Sequence, residues 1–154
     1  MMKKILICVF SGTGNTRKIA NLFSDEFIKN GVETTIVDIK KGARIKCVDD
    51  FDAVGVCYPI HGFNAPYNVL EFAHDMPKTH DKPLFVLKSS GEPLALNNVS
   101  SYKLVSILKG KGYDYFAEYH YVMPYNMIFR HDDAAAYKMW HTAKNLAPVE
   151  AREI

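Results

Sequence analysis

Ser11-Gly12-Thr13-Gly14-Asn15-Thr16 places six small polar residues between the apolar run Lys4–Val9 and a segment with helical spacing. Residues of these types in this place suit one task, the holding of an anion. Free backbone N–H groups at a helix start, reinforced by the helix dipole, favour negative charge, and hydroxyl and amide side chains add neutral donors. Glycine lets the backbone approach a ligand closely. The competing reading is a tight strand-to-helix turn with Asn15 or Thr16 as N-cap. Arg17 and Lys18 follow, but with Ile19, Leu22 and Phe23 turned inward Arg17 points away from the core and reads as a solvated residue, not a ligand.

Spacing narrows whose phosphate this could be. G-x-x-x-x-G-K-[ST] is absent, which removes nucleotide triphosphatases. G-x-G-x-x-G is absent too, because Thr16-Arg17 stands where a glycine is needed after Gly12-Thr13-Gly14. Cys8 and Arg17 are too far apart for a C-x5-R phosphatase loop. Cys8 and Cys57 lie in apolar runs and read as small buried hydrophobes, and with Cys47 they form no C-x-x-C pair. Neither a metal nor a disulfide framework is visible, which points to a reducing compartment.

The elements that must position the loop follow from two alternating periodicities. Strands are expected at Lys4–Val9, Val32–Asp38, Asp52–Tyr58, Pro83–Lys88 and Tyr113–Met123. Between them a helix carries Ile19, Leu22, Phe23 and Phe27 and ends near Asn30-Gly31, "NVLEFAHDM" forms a helix between Pro66 and Pro77, and Val99–Lys109 forms another. "KKGARIKCVDD" is weakly patterned and reads as a short helix. Asp132-Asp133 opens a last helix with Ala136, Met139, Trp140 and Ala143 on one face, and "APVEAREI" reads as a tail leaving the domain. Repeated strand–helix alternation predicts an α/β fold, a five-stranded parallel sheet with helices on both faces. In such a sheet the loops "SGTGNT", "YPIHGFNAP", "SSGEP" and "MPYN" share the carboxyl edge, where ligands sit, while "KNG", "DD", "HDK" and "KGKG" at the other edge are plain turns.

Bulk properties are those of an ordinary globular chain. The 154 residues are expected to form one domain, 1–154, and 19 basic against 17 acidic residues leave a net charge of +2. That balance gives no nucleic-acid footprint. The apolar start "MMKKILICVF" is too short for a signal peptide and lacks a small-residue cleavage site, and no stretch approaches the roughly 20 apolar residues of a membrane span. A cytoplasmic protein without nucleic-acid or membrane partners is expected.

Ser11 to Thr16 resembles the [ST]-x-T-G-x-T phosphate loop of flavodoxins, which holds the monophosphate of FMN, and the element order is similar over nearly the whole chain. The resemblance implies a flavodoxin-like three-layer sandwich with strand order 2-1-3-4-5, FMN as cofactor, and two loops flanking its ring. On that reading Ser11, Gly12, Thr13, Gly14, Asn15 and Thr16 bind phosphate, and Tyr58, Pro59, Ile60, His61, Gly62, Phe63 and Asn64 form one flanking loop. Tyr58 either stacks on the ring or packs at the strand end. Gly62 supplies the peptide near N5, His61 either tunes the flavin or is solvated, and Ile60 and Phe63 either shield the ring or pack the hinge. Ser89, Ser90, Gly91 and Glu92 face the pyrimidine side or form a simple turn, the Glu92 charge lowering the potential. Asn126 is a lesser candidate, and the aromatic strand Tyr113, Tyr115, Phe116, Tyr119 and Tyr121 reads as packing.

In particular the sequence resembles the flavodoxin half of bacterial proteins that fuse this fold to a ferredoxin module, although it contains no C-x2-C-x2-C run. The implied function is electron transfer between redox partners, among them a ferredoxin or a ferredoxin module. A typical flavodoxin surface is acidic and this chain is near neutral, which leaves the partner open. A flavin enzyme on the same fold is the alternative, a quinone or NAD(P)H reductase or a protoporphyrinogen oxidase, with "MPYNMIFRHDD" contributing a substrate pocket. A non-flavin phosphate-binding regulator is the third class.

Overall fold

The computed structural model describes residues 2–125 and 130–154. Its strands are β1 (Lys4–Val9), β2 (Glu33–Asp38), β3 (Ala53–Pro59), β4 (Lys82–Ser90) and β5 (Tyr113–Val122). Its helices are α1 (Asn15–Lys29), α2 (Tyr67–Asp75), α3 (Tyr102–Lys109) and α4 (Asp133–Ala151), with a 3₁₀ turn at Ala95–Val99. All strand pairs are parallel and the sheet order is β2-β1-β3-β4-β5, as the resemblance implies. Because β1 connects outward to β2 before the chain returns to β3, the crevice opens at the carboxyl ends of β1 and β3.

Alternation along the strands splits the core into two layers. Ile5, Ile7, Val9, Phe85 and Leu87 pack against Phe23 and Phe27 of α1 and Ala143, Ala147 and Ala151 of α4. Leu6, Cys8, Val54, Val56 and Val86 pack against Phe72 of α2 and Leu104 and Leu108 of α3. One irregularity breaks the rule. Leu84 pairs with Tyr115 but Phe85 pairs with Ala117, so Phe116 is bulged out and is 44% exposed. Tyr113 and Tyr115 therefore join the α2/α3 layer, while Ala117, Tyr119 and Tyr121 join the α1/α4 layer. Glu118 and His120 are carried to the α2/α3 side of the sheet, beside Lys88 and Ser90 of β4.

Four expectations are corrected. The β2–β3 connection holds no helix. Gly42 sits at φ +80°, Ala43 closes a turn onto the Lys40 carbonyl, and buried Ile39 and Val48 pin the segment flat against the α2/α3 layer. The Val99–Lys109 helix splits, because the Ser100 hydroxyl donates to the Asn97 carbonyl at 2.7 Å and diverts the backbone between the 3₁₀ turn and α3. β4 runs on through Ser89 and Ser90, which pair with Tyr121 and Val122 of β5. The end of the chain is no tail: α4 continues through Pro148, Ala147 and Ala151 are buried, and Arg152 donates to Glu26 at 2.8 Å. Among the described residues no helix is long and apolar enough to cross a membrane.

Candidate functional site

The phosphate-loop residues begin where β1 stops. Gly14, at φ +95°, is the residue from which α1 starts, and Lys18 makes the first helical hydrogen bond, to the Gly14 carbonyl at 3.0 Å. No side chain caps this helix. Asn15 and Thr16 are its first two residues, which sets aside the N-cap reading. The one nearby side-chain acceptor, Ser11 Oγ, takes the N–H of Arg17 at 3.2 Å. Among the described residues no acceptor meets the backbone N–H groups of Ser11, Gly12, Thr13, Gly14, Asn15 or Thr16. Six successive amides without a partner, wrapped around a helix start and interrupted by one left-handed residue, form a nest for an anion.

The side chains of this loop mostly fix it in place. Thr16 is buried and its hydroxyl shares a 2.8 Å hydrogen bond with Ser89 of β4. Asn15 Nδ2 donates to the Pro124 carbonyl at 2.8 Å, tying the loop to the chain beyond β5. Arg17 turns away and pairs with Asp38 at the end of β2, and the Lys18 ammonium lies 5.4 Å from the centre of the Trp140 ring. Any anion is thus held by backbone dipoles and hydroxyls.

The nest opens into a cavity of about 590 Å³ along the carboxyl edge of the sheet, within the range of a cofactor site. Ser11, Gly12, Thr13, Asn15 and Thr16 line one end; Pro59, Ile60, His61 and Gly62 form one wall, and Ser89, Ser90 and Gly91 another. Phe10, Met123, Pro124 and Tyr125 complete the lining, and the described lining includes no Lys, Arg, Asp or Glu. Phe10 meets the His61 ring edge-on at 6.2 Å. The Tyr125 ring packs so closely on Gly91 that a Cβ there would overlap it. Gly91 is needed because an aromatic ring lies against its backbone.

The wall after β3 is a tight turn. His61 N–H donates to the Asn64 carbonyl at 3.0 Å and Asn64 N–H returns the bond at 3.1 Å. Between them Gly62 and Phe63 have φ of +54° and +60°, the backbone of a type I′ turn. A phenylalanine in that region is strained, and Phe63 is held there with 46% of its surface exposed. The wall after β4 rests on side-chain bonds. Asn97 Nδ2 donates to Ser90 Oγ at 3.1 Å and to the Glu92 carbonyl at 2.8 Å, and Ser90 Oγ lies 2.8 Å from His120 Nε2. Beneath them the buried Lys88 ammonium pairs with Glu118 and donates to the carbonyls of Asn97, at 2.8 Å, and Asn98, at 3.3 Å.

Most expected site residues meet at this cavity, but five do not line it. Tyr58 is fully buried in the α2/α3 layer, its ring directed into the core and its hydroxyl pushed to a higher pKa by burial. That is the packing role the sequence left open, and stacking is set aside. Gly14 lies behind the nest as the start of α1, and Asn64 closes the turn. Phe63 points outward from the rim, and Glu92 contributes its carbonyl to the wall. Asn126 falls outside the described residues. Sequence reasoning put Met123, Pro124 and Tyr125 on the carboxyl edge only as part of the loop "MPYN" and gave Phe10 no site role; the structure brings all four to the cavity.

No protein-family model matches the chain, and no curated protein matches it. Solved structures do. A two-electron reduced flavodoxin from Megasphaera elsdenii superposes with a TM-score of 0.66 at 19% identity, covering 96% of this chain and 98% of the other. An azoreductase from Bacillus anthracis gives 0.67 at 10% identity over 100% of both chains. General stress protein 14 from Treponema denticola, solved in complex with FMN, gives 0.66 at 13% identity over 98% of both. Identities this low establish the fold, which is flavodoxin-like, and the site's chemistry has to be argued from its own residues.

Proposed function

We propose that this chain binds FMN in the 590 Å³ cavity and carries electrons between redox partners. The observation that carries the reading is the run of unpartnered amides from Ser11 to Thr16 opening directly into a cavity walled by Phe10, Ile60, Met123 and Tyr125. A terminal phosphate joined to a flat apolar ring fits that pairing. The amides of Gly12 and Thr13 and the hydroxyls of Ser11 and Thr13 would hold the phosphate. Tyr125 and Phe10 would bound the ring faces, and the Gly62 peptide and the backbone of Ser90 and Gly91 would meet its polar edges. When bound, FMN supplies one- and two-electron redox chemistry, and the protein's part is to bind, orient and shield it. The exposed Phe63 beside this edge offers apolar contact to a partner, and a redox protein of the ferredoxin kind, free or as a fused module, is the partner we assign from the sequence resemblance.

A flavin enzyme is the second reading, favoured by one observation. Met123, Pro124 and Tyr125 add a wall to the cavity from beyond β5. FMN titration of the protein, followed by flavin fluorescence and visible absorbance, tests the cofactor. Steady-state assay with NAD(P)H and a quinone then separates carrier from reductase: fast turnover by the isolated protein overturns the carrier. A protein that takes up inorganic phosphate but no FMN would instead be a phosphate-binding module.

A further inference from the structure

The ladder between β4 and β5 runs out at Met123, whose N–H donates to the Ser90 carbonyl at 2.8 Å. Pro124 has no N–H to continue it, and Tyr125 spends its own on a side chain, donating to Nδ1 of His131 at 2.8 Å. The Pro124 carbonyl accepts from Asn15 Nδ2, also at 2.8 Å. That carbonyl and the Tyr125 N–H belong to one planar peptide unit. The plane is therefore gripped at both ends, by the first residue of α1 and by a residue just ahead of α4. Both grips stand on anchored helices. Asp132, next to His131, caps α4 by accepting from the Ala135 N–H at 2.7 Å, and α4 is buried at Ala143 and Ala147. Asn15 opens α1, which is buried at Ile19 and Phe23. A plane held in this way fixes the N–Cα bond of Tyr125, from which the ring departs to lie on Gly91.

We propose that His131 is a positioning residue of the cavity, whose Nδ1 holds the Pro124–Tyr125 peptide in the plane that lays the Tyr125 ring along the wall, with Asn15 as the opposing hold. His131 is not among the described lining residues, so it acts through Tyr125 and not on a ligand. What the Tyr125 ring meets rests on the flavin reading; the hold on the peptide does not. The bond also fixes which atom matters. An imidazole accepts at Nδ1 only when that nitrogen carries no proton, so the neutral ring keeps its proton on Nε2. Asparagine presents an amide oxygen at the position of Nδ1, whereas glutamine presents its amide one bond further out, at the position of Nε2. The two grips differ in reach. Asn15 also begins the helix behind the anion nest, so its loss disturbs both ends of the cavity. Loss of His131 disturbs the Tyr125 end alone.

Two measurements test this. In the ligand-free protein at about pH 8.5, well above the ordinary histidine range, nitrogen NMR should find the His131 proton on Nε2 and a coupling across the hydrogen bond from Nδ1 to the Tyr125 amide. That amide should exchange faster with solvent in His131→Gln and return close to the wild-type rate in His131→Asn. The second measurement is binding. Riboflavin and FMN should both weaken roughly two- to tenfold in His131→Gln, the scale of one net hydrogen bond, and His131→Asn should recover most of the loss. Inorganic phosphate, which reaches only the nest, should bind both variants as it binds the wild type. A proton on Nδ1, or no coupling to the Tyr125 amide, overturns the proposal whether or not flavin binds, and neither result needs a variant to fold. A His131→Gln amide that exchanges at the wild-type rate does so as well. Glutamine serving flavin binding as well as asparagine, or phosphate affinity falling in step with flavin affinity, also overturns it, because the effect then lies outside the Tyr125 wall. Failure of both FMN and riboflavin to bind the wild type overturns the flavin reading, and the NMR result then decides the His131 hold alone.

Discussion

Replacing Lys88 by methionine tests the polar cluster beneath the cavity wall. The side chain of Lys88 is 1% exposed and that of Glu118 16%, so the change leaves a carboxylate largely out of water without its cation. Glu118 Oε2 already has no hydrogen-bond partner among the described residues, which leaves the carboxylate little to fall back on. The Asn98 carbonyl loses its donor, whereas the Asn97 carbonyl keeps the Ser100 hydroxyl at 2.7 Å. Breaking a buried pair costs about 3–5 kcal/mol. The partial exposure of Glu118 places this case near the lower end, about 3 kcal/mol, or about 1.5 M in urea midpoint for a slope of about 2 kcal/mol/M. The double variant Lys88→Met/Glu118→Leu removes the orphaned charge and should recover most of the loss. Equilibrium urea unfolding of the wild type, both single variants and the double variant measures the coupling. A Lys88→Met protein within about 0.5 kcal/mol of wild type, or a double variant no more stable than Lys88→Met, would refute the account of a charge pair held in the core.

Gly91→Ala should force the Tyr125 ring off the cavity wall, because the new methyl overlaps it; FMN affinity should fall at least about tenfold with a stability loss of about 1–3 kcal/mol, and unchanged affinity in a fluorescence titration would remove Tyr125 from the site. Gly62→Ala meets open space but keeps φ at +54°, so it should cost about 1 kcal/mol in urea unfolding through backbone strain alone. Thiol labelling of the native protein should modify one cysteine, the exposed Cys47. Burial pushes the Cys8 thiol up to about 12 and Cys57 upward as well, so both should react only after unfolding.

The parts of this protein legible from sequence are those fixed by neighbours along the chain. Strand Lys4–Val9 was readable as a continuous apolar run, and the stripe Ile19, Leu22, Phe23 and Phe27 as the inward face of α1. Ser11 to Thr16 announced an anion nest because a helix start leaves amides unpaired whatever the rest of the fold does. The order of those elements then placed the polar loops on one edge, since parallel strands must all end there. Side-chain direction at the edge was another matter. Tyr58 and Tyr125 are the same residue type near the ends of two strands, yet one is sealed in the core and the other walls the cavity. Only the packing of α3 over β3 and of Tyr125 on Gly91 separates them.

The bulge at Phe116 makes the same point more sharply. Read as simple alternation, Tyr113, Tyr115, Tyr119 and Tyr121 would share one face, and Glu118 and His120 would share the other with Phe116. One extra residue in the β4–β5 ladder reverses the faces midway. That reversal sends Tyr119 and Tyr121 toward α4 and brings Glu118 to Lys88 and His120 to Ser90. Sequence therefore determined where unpaired amides gather at a helix start and where the sheet ends. The tertiary register, set by pairing between residues some thirty positions apart, decided which side chains stand behind the wall that faces the cavity.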